Sequence, residues 1–450
     1  MSAVISQSKP SYKGSTLRNL LAIRGDRVSF LSKLKQDHGD VVRFHIATQA
    51  VWLLSHPEHI RDVLVTNQKK FMKGRGIQMM KQLLGEGLLT SEGEFHLRQR
   101  RLVQPAFHRQ RVASYATSMV EDARRMRERW ATLPAGAELE MSQEMMRLTL
   151  VIAGRTLFDA DVEEDASEVG QALTDLMAIA ERIPNPLAGI LALLPLPSNR
   201  RFEKARQRLD DIIYGIIRER RASNVDRGDF LSMLLMAQDE EGGTGGMTDS
   251  QVRDEALTIF LAGHETTATA LTWTWYLLSQ HPEAETKLHA EIDSILQGRL
   301  PTFEDLPKLR YAEMVFAEAM RLYPPAWIIG RRALVDHEID DHQIKAGDLI
   351  LMSQYLTHHD ARWFPEPEKF IPERWTPELK DARPKFSYFP FGGGTRTCIG
   401  EAFAWMEASL VIATLAQQWK PRLVQGHPVE TRALITLRPK HGMKMYLEKR

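Results

Sequence analysis

A single cysteine, Cys398, stands among 450 residues, and this removes whole groups of architectures. A chain with one thiol closes no internal disulfide and cannot supply a four-cysteine zinc site, so its fold has to be held by packing. What remains open to Cys398 is service as one metal ligand or as a nucleophile. Its setting, Phe391-Gly-Gly-Gly-Thr-Arg-Thr-Cys398-Ile-Gly400, favours the ligand. Three glycines let a backbone pass close to a bound group and aim its N–H groups at one point. A helix is expected to begin at Gly400 and run through Glu401-Ala-Phe-Ala-Trp-Met-Glu-Ala-Ser-Leu410. Its positive end would then lie beside the sulfur and favour the thiolate. A small buried hydrophobe is the commoner fate of an isolated cysteine; the loop around Cys398 makes that the weaker reading.

The chain is long enough to bury a core that encloses a cofactor. Its formal net charge of +1 gives no argument for a nucleic-acid partner or a polyanionic substrate. The first fifteen residues hold no long apolar run, and no window elsewhere reads as a spanning helix, so no signal peptide or membrane anchor is expected. Together with one reduced thiol, this places the protein in the cytoplasm. Val41–Ile46 and Ala50–Leu54 read as a hairpin. Helical patterns dominate beyond about residue 90, while short apolar, proline-punctuated segments at 324–352 and 429–447 read as strands flanking the cysteine loop. Asp239-Glu-Glu-Gly-Gly-Thr-Gly-Gly246 reads as an exposed loop. The expected fold is mainly α with a minor β region, in a single domain over 1–450 behind a flexible lead-in.

One helix should be unusually long. Thr248-Asp-Ser-Gln251 is a capping box, and the helical pattern then persists to His281-Pro282, roughly 30 residues or about 45 Å. Midway sits Ala262-Gly-His-Glu-Thr-Thr267. Glycine inside a helix costs about 1 kcal/mol relative to alanine, so Gly263 is expected to leave room for a ligand against the backbone. Thr266 can turn its hydroxyl back to the Ala262 carbonyl and loosen that turn. A zinc reading of His264-Glu265 fails because Ala268 stands where a second histidine is needed.

The cysteine loop resembles the haem-binding loop of the cytochrome P450 family, Phe-x-x-Gly-x-Arg-x-Cys-x-Gly, with Phe391, Gly394, Arg396, Cys398 and Gly400 at every specified position. Ala262–Thr267 resembles that family's oxygen-activating motif. Glu318-Ala-Met-Arg321, followed by Leu322-Tyr-Pro-Pro325, resembles its Glu-x-x-Arg helix, and Pro372-Glu-Arg374-Trp375 the segment whose arginine completes that network. The resemblance implies a cytochrome P450-like fold with haem b (heme b, iron protoporphyrin IX) buried between a long central helix and the cysteine-loop helix. It makes Cys398 the iron ligand and Glu265 with Thr266 the acid–alcohol pair that relays protons during oxygen activation. Ala262, Gly263, Phe391, Gly392 and Gly400 become cofactor contacts. Glu318, Arg321 and Arg374 become a buried structural cluster.

Propionates need cationic or donor partners. The resemblance offers Arg396, Arg331 (with Arg332 as a one-residue rival), Arg100 and His96. The family commonly has tryptophan where this chain has His96, and a histidine contact is expected to be pH-sensitive. His96 could equally belong to a basic, solvent-facing helix with no cofactor role. Arg98, Arg101, Arg109 and Arg111 extend a basic stripe that either docks an acidic electron donor or is ordinary solubilising charge. Ala326–Ile329, Leu434–Leu437 and Ile183–Pro195 would line a pocket for a hydrophobic molecule, or are plain core.

The implied activity is a haem-thiolate monooxygenase acting with O2 on a hydrophobic small molecule. No fused flavin or ferredoxin module is expected beyond residue 450, so electrons are expected from a separate ferredoxin or flavodoxin with its reductase. The alternatives are a peroxide-driven peroxygenase, a haem-thiolate isomerase or dehydratase, and a haem-binding sensor or carrier without turnover. Glu265-Thr266 argues against the peroxide-driven and isomerase readings.

Overall fold

The computed structural model describes residues 12, 14–159, 196–223, 225–239 and 245–450. Its axis is the central helix Asp249–Gln280, 32 residues or about 48 Å long. The capping box is formed in both directions: the Thr248 hydroxyl accepts from the Gln251 backbone, and the Gln251 side chain accepts from the Thr248 N–H. The helix ends at His281, and Pro282 opens the next one, where its missing N–H does no harm.

Apolar residues lie all round the central helix, so it has to be covered on every side. The helices Met141–Phe158, Arg310–Leu322 and Glu401–Leu415 pack against it. Trp273 and Trp275 are sealed within this core; Trp273 stacks on Tyr323 with ring centroids 3.9 Å apart.

The hairpin is present as Val41–Ile46 and Gln49–Leu54. Its second strand continues into a five-stranded sheet, running parallel to Leu349–Met352, which pairs antiparallel with Ile329–Ala333. Phe71–Lys73 closes the far edge, with Lys73 directly opposite Arg331. The later strand region resolves into Thr431–Ala433 paired with Leu437–Pro439, and Lys444–Lys449 in a separate three-stranded sheet. The acidic, glycine-rich loop differs from expectation at its ends. Gln238–Asp239 pairs with Gly245–Gly246, and Asp239 is buried because Arg98 and Arg101 close on its carboxylate; residues 240–244 are outside the described set. Among the described residues, no helix is long and apolar enough to cross a membrane.

Candidate active site

The cysteine loop is closed by its own backbone: the Cys398 N–H donates to the Phe391 carbonyl over 2.9 Å. Gly394 has φ +68°, and a Cβ there would lie 2.0 Å from the Leu64 carbonyl oxygen. A Cβ on Gly393 would lie 2.5 Å from the Phe386 ring. These two glycines therefore make room for neighbouring protein, whereas the sequence had assigned the close approach to a bound group. Thr395 fastens the loop to Gln68 through its N–H and hydroxyl, at 2.9 and 2.8 Å. Arg100 holds it from the other side, donating to the Thr397 carbonyl at 2.8 Å.

Gly400 caps the helix Glu401–Leu415 as expected. Cys398 keeps an accessible surface, yet the protein closes round its sulfur. Desolvation raises the thiol pKa, while the Gly400 N–H and the Arg100 charge pull the other way. Both observations hold if the sulfur faces an interior space. A coordinated metal would remove the thiol proton outright.

The central helix shows the matching face. Ala262 is exposed, and Gly263 and Thr266 are half-buried, although Leu261, His264, Glu265, Thr267 and Ala268 around them are buried. A Cβ on Gly263 would meet no atom within 4 Å. The Thr266 hydroxyl donates to the Ala262 carbonyl at 2.7 Å, the back-bond the sequence foresaw. Thr149, from Met141–Phe158, also reaches the His264 carbonyl at 2.9 Å; nothing in its local sequence marked it. Glu265 turns elsewhere and accepts from Thr436 and Arg438, so the acid and the alcohol have separate partners.

Between loop and sheet lies a cluster of positive charge. Lys73 and Arg331 face one another across neighbouring strands, an arrangement that is destabilising unless an anion intervenes. Arg331 is half-buried while Arg332 points to solvent, which separates the two candidates. Burial first, then Arg396, push Arg331 down to about 10 and Lys73 down to about 6. Arg396 donates to the Ser91 carbonyl at 2.8 Å and pairs with Glu92.

His96 is buried, and its Nε2 has no hydrogen-bond partner. Burial, followed by Arg396, Lys73 and Arg100, pushes its pKa down to about 3. Held neutral by these surroundings, His96 can serve as an N–H donor without charge. Its burial excludes the reading of His96 as part of a solvent-facing basic face. A desolvated cluster with surplus positive charge and an orphaned nitrogen fits the two carboxylates of a haem. Lys73, absent from the sequence reading, is a further buried cation beside this cluster, its Nζ donating to the Leu88 carbonyl at 2.8 Å. Lys73→Met is expected to weaken haem retention by about tenfold or more, the worth of one charged hydrogen bond at about 1.5–3 kcal/mol. Transfer of haem to apomyoglobin measures this, and an unchanged rate would place Lys73 outside the site.

The structural cluster forms as expected. Arg321 donates to both Glu318 oxygens at 2.9 Å, and Arg374 donates to Oε1 at 3.2 Å. The Trp375 indole and the Ile371 N–H complete the carboxylate's shell at 2.9 and 3.0 Å. Arg321 spends its remaining donors on the carbonyls of His358, Pro367 and Lys369. The same helix accepts the Tyr388 hydroxyl at Ala317, and the Phe389 N–H donates to His358 Nε2. The segment entering the cysteine loop is thereby tied to this network.

Other expectations are changed. Arg98 and Arg101 turn to Asp239, and Arg111 donates to the Gly228 carbonyl at 3.4 Å, so part of the stripe's charge is balanced within the chain, while Arg101 and Arg111 keep more than a third of their side chains exposed. The Arg109 side chain is outside the described set. Trp327 and Leu437 are core, and the Leu434 carbonyl accepts the Trp327 indole at 2.9 Å. Ala326, Leu434 and Ile435 stay half-exposed. Ile183–Pro195 lies outside the described residues.

A thiol at a helix start, an open stripe on a long helix and a buried cationic cluster are the parts that a haem-thiolate site would need. Comparison with known proteins agrees. The family model described as Cytochrome P450 matches residues 10–445, and the chain belongs to this family. Cyclooctatin synthase of Streptomyces melanosporofaciens is 41% identical over 412 residues, covering 91% of this chain and 89% of that protein. Cyclooctat-9-en-7-ol 5-monooxygenase of the same organism is 40% identical over 91% of this chain and 88% of its own. Pentalenene oxygenase of Streptomyces avermitilis is 35% identical over 94% and 92% respectively. The protein is an oxidoreductase, a cytochrome P450 monooxygenase, and the family implies a haem-iron cofactor.

Proposed function

We propose that the protein inserts one oxygen atom of O2 into a C–H or C=C bond of a terpenoid hydrocarbon. Haem b is the cofactor, and a separate ferredoxin or flavodoxin with its reductase supplies the electrons, in the cytoplasm. The observation that carries this reading is the open stripe Ala262–Gly263–Thr266 on an otherwise buried helix, together with the accessible sulfur of Cys398 at a helix start. When bound, haem supplies the oxygen chemistry.

The chain's own residues do the rest. Cys398 provides a thiolate whose electron density favours O–O cleavage. Arg100, Arg331, Arg396, His96 and Lys73 hold the propionates. Ala262 and Gly263 would leave room for the cofactor against the central helix, and Phe391, Gly392 and Gly400 would contact it from the cysteine loop. Glu265 and Thr266 move protons.

The terpenoid class rests on the relatives named for pentalenene and cyclooctat-9-en-7-ol. Half-exposed Ala326, Leu434 and Ile435 offer such a molecule apolar contacts.

The dithionite-reduced protein under carbon monoxide tests the cofactor. A strongly red-shifted Soret band is expected, and a folded, haem-reconstituted preparation without it would refute the reading. Substrate-dependent NAD(P)H consumption with a surrogate ferredoxin system, over a panel of polycyclic terpenes, tests the reaction; no substrate-dependent consumption would favour a sensor or carrier. Thr266→Ala is expected to keep haem and to divert most electrons to peroxide. Unchanged coupling of electrons to product would remove Thr266 from the proton relay.

A further inference from the structure

We propose that Thr436 and Arg438, on the C-terminal hairpin, are positioning residues for the acid Glu265: they anchor one carboxylate oxygen and leave the other free to take up and release the proton. This deepens the monooxygenase reading and rests on it. Glu265 is buried, and every donor that reaches it converges on Oε1. These are the Thr436 hydroxyl at 2.5 Å, Arg438 Nε at 3.0 Å and the second Arg438 guanidinium nitrogen at 2.5 Å. Among the described residues no donor reaches Oε2. A carboxylate used only to balance a buried arginine would normally engage both oxygens, as Glu318 does with Arg321.

The clamp is internally ordered. Arg438 Nε also approaches the Thr436 hydroxyl oxygen at 3.2 Å. The hydroxyl therefore accepts from the arginine and gives its one proton to Glu265. The hairpin carrying both residues is pinned in turn. The Trp273 indole, from the central helix itself, donates to the Leu437 carbonyl at 2.9 Å, and Arg27 donates to the Ala433 carbonyl at 2.9 Å. Acid and clamp thus move as one body with the helix that bears Thr266.

Arg438 is also the link to water. Its side chain is 27% exposed against 3% for Glu265, so the guanidinium joins the buried oxygen to a space that water can enter. A proton taken up from water at Oε2 makes the neutral acid, and its release towards the Thr266 side restores the carboxylate facing an unchanged cation. Next to it, His264 feels the charges of both Glu265 and Arg438. Burial holds its imidazole below the ordinary value, and its Nδ1 lies 3.1 Å from the Phe260 carbonyl oxygen. It adds no competing charge.

The test uses haem-loaded Arg438→Gln, Arg438→Lys and Thr436→Val. Arg438→Gln is expected to keep the red-shifted ferrous–CO band while product formed per NAD(P)H falls about tenfold, part of what a positioned acid contributes. Its pH–rate limb should move to higher pH, because burial without the cation favours the protonated carboxyl. Arg438→Lys should recover most of the coupling, and Thr436→Val should lose an intermediate amount.

A readout independent of turnover is the urea midpoint across about pH 5 to about pH 8. In Arg438→Gln the folded state then binds a proton that the unfolded chain has released. Its stability relative to the parent therefore falls as pH rises, and adding Glu265→Gln should abolish that slope. Unchanged coupling and an unchanged pH–rate profile in Arg438→Gln would overturn the proposal and leave the clamp merely structural, whatever the urea data show. Absence of the band in the unsubstituted protein would overturn the haem-thiolate reading, and the proposal with it.

Discussion

Glu318→Ala is expected to yield protein with little or no haem. The Glu318 carboxylate is fully buried and accepts five hydrogen bonds, from Arg321 twice and from Arg374, Trp375 and Ile371. Its removal strands the Arg321 guanidinium, itself fully buried, with carbonyl acceptors but no counter-charge. Breaking a buried pair in this way costs about 3–5 kcal/mol, against a total stability of about 5–15 kcal/mol for a typical domain. The loss falls where it matters for the cofactor. The helix carrying Glu318 also receives Tyr388, and His358, whose carbonyl Arg321 holds, receives the Phe389 N–H two residues before Phe391. Haem content per chain, read with far-ultraviolet circular dichroism, checks this. Low haem with most helix retained is the expected pair of results, whereas full occupancy would show that the loop is held without the network. Glu318→Gln, which keeps the volume and one acceptor oxygen but turns the other oxygen into an NH2 donor, should fall between.

How much of this could be read in the chain depended on how local the signal was. The central helix was legible to within a residue because its ends are written in short-range chemistry: a capping box at Thr248 and a proline at 282. The Thr266 back-bond was legible for the same reason, since donor and acceptor are one turn apart. The Glu318–Arg321–Arg374 cluster spans a longer separation and was reached through motif resemblance; the ion pair's spacing alone would have read as a solvated surface pair.

What escaped was made by register and by distant partners. Lys73 sits in a three-residue strand, and only its pairing with Ile329–Ala333 brings it opposite Arg331. The same register turns Arg331 inward and Arg332 out, a choice no local pattern makes. Arg98 and Arg101 looked like a basic face because their acceptor, Asp239, is 138 or more positions away in sequence. The run of three glycines was read as letting the backbone approach a bound group, yet the atoms that demand Gly393 and Gly394 belong to Phe386 and Leu64. A glycine in the sequence marks a close approach without naming what approaches.

Cys398→His is expected to abolish the red-shifted ferrous–CO band and to reduce monooxygenation to the background of unpositioned haem. Two effects add. The thiolate is an anion at the positive start of the helix Glu401–Leu415, with the Gly400 N–H and the Arg100 charge both favouring it. A neutral imidazole forfeits that stabilisation and the electron donation that favours O–O cleavage. The imidazole is also larger, and the loop cannot yield to it, being closed between Phe391 and Cys398 and pressed against Leu64 at Gly394. Since that crowding alone could prevent haem uptake, Cys398→Ser separates the causes: it preserves volume and helix start but replaces the soft sulfur with a hydroxyl. Both variants should lose the band, and Cys398→Ser should retain the circular dichroism of the parent. With no second cysteine in the chain, persistence of a thiolate spectrum in either variant would mean that the sulfur ligand comes from outside this protein, and the assignment of Cys398 would fall.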